Sequence, residues 1–281
     1  TEMIYISAVG MVNALGNSAD EIAANLNAGI APGMRHRAGW LQGLPDAMLG
    51  GVEGELPPIP DSLAAHRSRN NQLLLAALAQ IQPAVEAAIA RVGRDRVAVV
   101  LGTSTSGLDE GDEYVRLSLN GERSPQWQYP QQELGDPSRF LASWLQLDGP
   151  AYTISTACSS SARAIIRGQR LIEAGLDDVA LVGGADSVSR MPVNGFNSLE
   201  SLSPTQCEPF GRDRRGITIG EAAALMVLTR EPDQVALLGA GESSDAYHIS
   251  APHPEGEGAI RAITQALKEA GMTADDVGYI N

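Results

Sequence analysis

Ala151-Tyr-Thr-Ile-Ser-Thr-Ala-Cys158-Ser-Ser-Ser-Ala162 decides how the chain is read. Ala151 to Thr156 reads as a strand, and a helix follows from about Ser159 to Ala174. A strand that turns directly into a helix is the repeating unit of α/β proteins. The neighbouring segments follow the same rule. Upstream, Arg69 to Val92 is a long apolar-periodic helix with a bend expected at Pro83, and Val97 to Leu101 is a buried strand. Asp136 and Pro137 open a helix through about Leu145, proline being suited to a first turn. Downstream, Val179 to Val182, Ala222 to Thr229 and Val235 to Gly241 read as strands and Gly256 to Ala270 as a helix, with a last strand beginning at Val277. At the other end, Met3 to Val9 is a strand, and Ser18 with Glu21 forms a capping-box pair for a helix through about Ala28. Residues 29–66 are rich in Gly and Pro and read as excursion loops. The expectation is an α/β fold with a helix-covered sheet. Helix followed by strand recurs at 69–101 and again from 256 onward, which hints at two related halves, the second only begun.

The 281 residues include 20 Lys+Arg and 34 Asp+Glu, a formal net charge of −14, and 43% are hydrophobic. That is ample for a core and excludes disorder. The charge argues against nonspecific nucleic-acid binding, although a local basic patch can still dock an acidic partner. No uninterrupted run approaches the ~18 apolar residues of a membrane span. The first residues read straight into a strand without a basic leader, and the two cysteines, Cys158 and Cys207, make no disulfide framework; a cytoplasmic protein is expected. The chain stops at Asn281 inside a predicted strand, so the sequence is expected to be the front part of a longer protein.

Cys158 stands just before a predicted helix, whose free N–H groups and positive dipole end favour thiolate over thiol and can hold an oxyanion during acyl transfer. Its neighbours are small enough to admit a substrate carbonyl. The same residue type is equally at home as a small buried core residue, and the pattern leaves both readings open. Other constellations carry less. Gly239-Ala-Gly241 lacks the third glycine of a dinucleotide loop, and Gly102-Thr-Ser-Thr-Ser-Gly107 misses the nucleophile elbow by one position. No P-loop is present, and His248, His253 and Asp245 lack the spacing of a metal site, so no metal or cofactor is expected. Cys207 reads as a loop residue.

Ser155 to Ala162 resembles the active-site signature of the β-ketoacyl-acyl-carrier-protein synthases of the thiolase superfamily. Val179-Ala-Leu-Val-Gly-Gly-Ala-Asp186, Glu208-Pro-Phe-Gly-Arg-Asp-Arg-Arg-Gly216 with Gly220-Glu-Ala-Ala223, and Ser243-Ser-Asp-Ala-Tyr-His248 resemble further segments of that family, in the family's order. Gly211, Arg215 and Ala222 depart from the usual residues of the third segment. The resemblance implies a layered αβαβα fold of two similar halves, the first over 1–234 and the second starting at 235. It implies that Cys158 takes an acyl group from an acyl carrier protein as a thioester, and that malonyl carrier protein then decarboxylates and condenses with it. The Cys158 N–H would form half of the oxyanion hole. Thr105 and Phe196 match positions lining the acyl tunnel; Arg67, Arg69 and Arg123 match basic positions that dock the carrier protein. Ala151 to Ser155 matches a strand that pairs across a dimer axis, so a homodimer or a heterodimer with a related subunit is expected. A specialised polyene or polyketide pathway is slightly favoured over ordinary fatty-acid synthesis. The family's two catalytic histidines lie downstream of Val277 to Asn281, and His36, His66, His248 and His253 match neither; residues 1–281 alone are expected not to catalyse the condensation. The alternative is a non-catalytic partner subunit that shapes the tunnel, against which an intact Cys158 speaks.

Overall fold

A computed structural model describes residues 3–124, 126–249 and 251–281. Strand β1 (Ile4–Val12) leads to α1 (Ala19–Ala28), whose first turn is capped by the Ser18 hydroxyl accepting from the Glu21 N–H at 3.2 Å. Next come β2 (Met34–Ala38), β3 (Asp46–Gly50) and α2 (Arg69–Val92), then β4 (Val97–Gly102), α3 (Leu108–Leu119) and α4 (Asp136–Leu145). They are followed by β5 (Ala151–Ile154), α5 (Ser160–Glu173), β6 (Val179–Asp186) and α6 (Arg190–Ser198). The chain continues through β7 (Ile219–Gly220), β8 (Ala222–Thr229), β9 (Val235–Leu237) and α7 (Glu257–Ala270).

Six strands form one mixed sheet in the order β5-β4-β6-β8-β1-β9. β4 runs parallel to both β5 and β6, while β8 is antiparallel to β6 and β1. Successive side chains of a strand point to opposite faces, and the core divides accordingly. Val97, Val99, Leu101, Val179 and Leu181 face α2 and α4, meeting Leu74, Leu78, Ile81 and Phe140. Ala98, Val100, Ala180 and Val182 face the other way and pack on Ala164 and Ile172 of α5. Both faces are therefore apolar, which is why these strands read as continuous hydrophobic runs. Helix α2 is long and apolar enough by composition to cross a membrane, but Leu73, Leu74, Leu78, Ile81 and Val85 are buried in the core.

Several expectations need correction. Residues 29–66 are not simply loops: β2 and β3 form an antiparallel hairpin, and β3 pairs in parallel with β7. Arg35, His36 and Arg37 give β2 no apolar alternation, so only the pairing reveals it. Helices α3 and α6 were not anticipated. β6 extends past its expected end through Gly183 and Gly184, and β5 and β9 are shorter than expected. Residues 238–241 instead lie against α7, close enough that a Cβ at Gly241 would sit 1.9 Å from the Ala262 carbonyl oxygen. Residues 277–280 form no strand; Val277, Tyr279 and Ile280 are exposed.

Candidate active site

The C-terminal ends of β4 and β6 converge on the start of α5. A Cβ at Gly102 would lie 2.4 Å from Ser161 N, and one at Gly184 would lie 2.3 Å from Ser161 Oγ. Glycine at both positions lets the helix start rest directly on the strand ends. Cys158 precedes that helix by two residues and is exposed within residues 1–281. Its predecessor Ala157 has φ +52°, the left-handed region that non-glycine residues rarely occupy. Ser160 spans the turn: its hydroxyl accepts from Thr156 N–H at 2.8 Å and donates to the Ala157 carbonyl at 2.6 Å.

Across from this turn lies the loop after β4, tied down by one carboxylate. Asp186 Oδ1 accepts from Thr103 Oγ1 (2.9 Å), Ser104 N (2.6 Å), Thr105 N (3.0 Å) and Thr105 Oγ1 (3.0 Å). The Ser104 hydroxyl then reaches the Ala157 carbonyl at 3.2 Å. Neither Ser104 nor Asp186 was singled out from the sequence; the small-residue run 102–107 and the end of Val179–Asp186 were the available signals. Thr105 is buried, with its hydroxyl also accepting from Ser187 N at 3.2 Å, and Phe196 is half-buried on α6.

The three arginines have different surroundings. Arg69 holds Glu221 through two contacts, Nε to Oε2 at 2.8 Å and a terminal nitrogen to Oε1 at 2.5 Å, and the Glu221 side chain is only 3% exposed. Burial by itself would raise the Glu221 carboxyl; Arg69 and the Val52 and Val188 amides outweigh it and hold the group below the ordinary glutamate range. Burial pushes the nearby Glu110 carboxyl up, opposed by its bond from Arg69 N–H. Arg67 pairs with Asp61 and donates to the Ile59 carbonyl, while Arg123 is exposed. Beside α5, an open cleft of about 650 Å³ is lined by Ser159, Arg163, Glu242, Asp245 and His248 among others.

Residues 1–234 match the family model of the β-ketoacyl synthase N-terminal domain, and residues 235–281 that of the C-terminal domain. The 3-oxoacyl-[acyl-carrier-protein] synthase 2 of Rhizobium meliloti is 39% identical over 152 residues, covering 48% of this chain and 36% of that protein. The enzyme of the same name from Synechocystis sp. is 30% identical over 210 residues, covering 69% of this chain and 50% of that protein. The chain thus spans half or less of the length of these relatives. Among solved structures, a chain in the ketosynthase ApeO in complex with its chain length factor ApeC, from Xenorhabdus doucetiae, is 65% identical. It superposes with a TM-score of 0.97 over 100% of this chain and 71% of that one. The ishigamide ketosynthase/chain length factor shares the fold at 24% identity, with a TM-score of 0.84 over 98% of this chain and 72% of that one. With the layered thiolase-like architecture and an exposed cysteine where strand turns to helix, the chain belongs to the β-ketoacyl synthase family.

Proposed function

We propose that Cys158 is the acyl-accepting nucleophile of a β-ketoacyl-acyl-carrier-protein synthase. The observation that carries this reading is the exposed thiol at the strand-to-helix turn, set on glycine-floored strand ends. In the first step the Cys158 sulfur forms a thioester with the acyl group and the carrier's thiolate leaves. In the second, malonyl carrier protein loses CO2, its carbanion attacks the thioester carbon, and the Cys158 sulfur departs. Splitting the C–C bond formation in this way replaces one hard step with two easier ones. The direct test is the intact mass of the purified chain before and after incubation with an acyl carrier thioester; an acyl increment on Cys158 is expected.

Carrier docking is assigned to Arg67 and Arg123, with the part of Arg69 left exposed beside its ion pair. On a chain of net charge −14, exposed basic side chains such as these are the natural seat for an acidic protein. Arg67→Glu is expected to raise the Kd for the carrier protein about 5- to 10-fold at low salt and to flatten its salt dependence, as read by titration at two ionic strengths. Thr105 and Phe196 are assigned to the acyl tunnel. Thr105→Phe shortens the longest acyl chain found on Cys158 in a competition among carrier thioesters; an unchanged profile removes Thr105 from the tunnel.

The second reading is a chain-length-factor-like partner subunit. It is favoured by the two similar solved structures, both of which pair a ketosynthase with a chain length factor. β5 lies at the edge of the sheet, where a second subunit's strand can pair with it in either reading. Thiol chemistry separates the two: a nucleophile labels with the epoxide cerulenin, and a partner's cysteine stays inert.

A further inference from the structure

We propose that Ser104 and Ser160 are positioning residues that aim the Cys158 backbone N–H at the acyl oxygen. This rests on the reading of Cys158 as acyl acceptor and adds to it how the turn is held. The Ala157 carbonyl receives three donors: Ser160 Oγ at 2.6 Å, Ser160 N at 3.2 Å and Ser104 Oγ at 3.2 Å. They come from two separate parts of the fold, the first turn of α5 and the loop after β4. The Ala157–Cys158 peptide is trans, as are all the others described. In a planar trans peptide the C=O and the following N–H point in opposite directions. Clamping the Ala157 oxygen therefore fixes the Cys158 N–H in the opposite direction, at the exposed turn that carries the thiol. Ala157 is held at φ +52°, a conformation that alanine does not keep unless its surroundings impose it. The two hydroxyls supply that constraint. Ser104 is itself held rigidly, because its N–H and both neighbouring threonine hydroxyls converge on Asp186 Oδ1.

The consequence is specific to acyl transfer. When the Cys158 sulfur attacks an acyl carbon, the C–S bond forms and the carbonyl oxygen takes the electron pair. The tetrahedral oxyanion then collapses and expels the leaving group, and the thiol proton passes to solvent. An N–H aimed at that oxygen lowers this barrier. Alkylation by iodoacetamide displaces iodide at a saturated carbon and creates no oxyanion. A loss of aim slows the first reaction and leaves the second alone, whereas a loss of thiol access or reactivity slows both.

The test compares wild type, Ser104→Ala, Ser104→Thr and Ser160→Ala by the rate of Cys158 acylation from p-nitrophenyl acetate and from a hexanoyl carrier thioester, and of alkylation by iodoacetamide. Ser160→Ala is expected to slow acylation about 10- to 100-fold and Ser104→Ala about 3- to 10-fold, below the full loss of an oxyanion donor. Ser104→Thr, which keeps the hydroxyl, restores the rate, and alkylation stays within about twofold throughout. Equal slowing of acylation and alkylation, or no slowing of acylation in Ser104→Ala with Ser160→Ala still folded, overturns the proposal. A wild type acylated by the ester but refused by the carrier thioester sinks the synthase reading and leaves the positioning intact. A wild type that alkylates yet takes an acyl group from neither donor overturns both.

Discussion

In Cys158→Ala the acyl increment that a carrier thioester adds to the wild-type mass disappears, with the acylation rate falling on the order of 10³-fold or more, to background. Folding is expected to survive the change. Cys158 is exposed and sits before α5 rather than inside it, and exposed substitutions of this kind usually stay within about 0.5 kcal/mol. The bonds that shape the turn belong to Ser160, Thr156 and Ser104, and alanine leaves them in place. Cys207, the other thiol, lies on a separate loop where its N–H donates to Thr218 at 3.0 Å, so an adduct surviving in Cys158→Ala would mark it as the reacting group. Peptide mapping of the adduct distinguishes the two. A folded wild type with no adduct on Cys158 transfers the assignment to the non-catalytic partner.

Arg69→Ala lowers the folding free energy by about 1–3 kcal/mol, the effect of leaving the buried Glu221 carboxylate without its charged partner, discounted because Arg69 itself is 43% exposed. The reason lies with Glu221. Its side chain is almost fully buried, and without Arg69, among the described residues, the Val52 amide at 2.9 Å and the Val188 amide at 3.4 Å are what still face its oxygens. The pair ties the start of α2 to the start of β8, so the loss is read as a drop in the urea midpoint of the whole chain. The pH dependence has a defined sign. Glu221 is held below the ordinary carboxylate range in the folded protein, so its contribution is complete above the unfolded value of about 4.3 and is lost as pH falls through the folded value. The difference between wild type and Arg69→Ala therefore narrows in acid. The double change Arg69→Met with Glu221→Leu recovers most of the stability, because no unpaired carboxylate is then left buried at position 221. Equal stability of Arg69→Ala and wild type at neutral pH would show that the pair contributes nothing. Arg67→Glu, on the surface, is expected to weaken carrier binding without a comparable loss of stability, which separates the two neighbouring arginines.

The long periodic segments were legible because their neighbours needed no knowledge of the rest of the fold. Arg69 to Val92, Asp136 to Leu145 and Ala222 to Thr229 match the observed elements end to end. β2 escaped because Arg35, His36 and Arg37 carry no alternation, and it exists as a strand only through its register with β3. Helices α3 and α6 escaped because each buries little: only Gly111 of α3 and Val193 of α6 are buried. Val277 to Ile280 reads as a strand from its residues, but a strand needs a neighbour to bond, and none of the described strands pairs with it.

By itself, the sequence determined the α/β class, the strand-to-helix turn at Cys158, the family resemblance and the acidic net charge, since these depend on local pattern and residue type. The tertiary structure decided the rest. It set the strand-to-helix turn at Cys158 on the glycine-floored ends of β4 and β6, bound Arg69 to Glu221 across 152 positions of sequence, and gathered Thr103, Ser104 and Thr105 onto Asp186. Hydrogen bonds of this kind join groups that chain folding alone brings within 3 Å, and no local pattern records which donor will meet which acceptor.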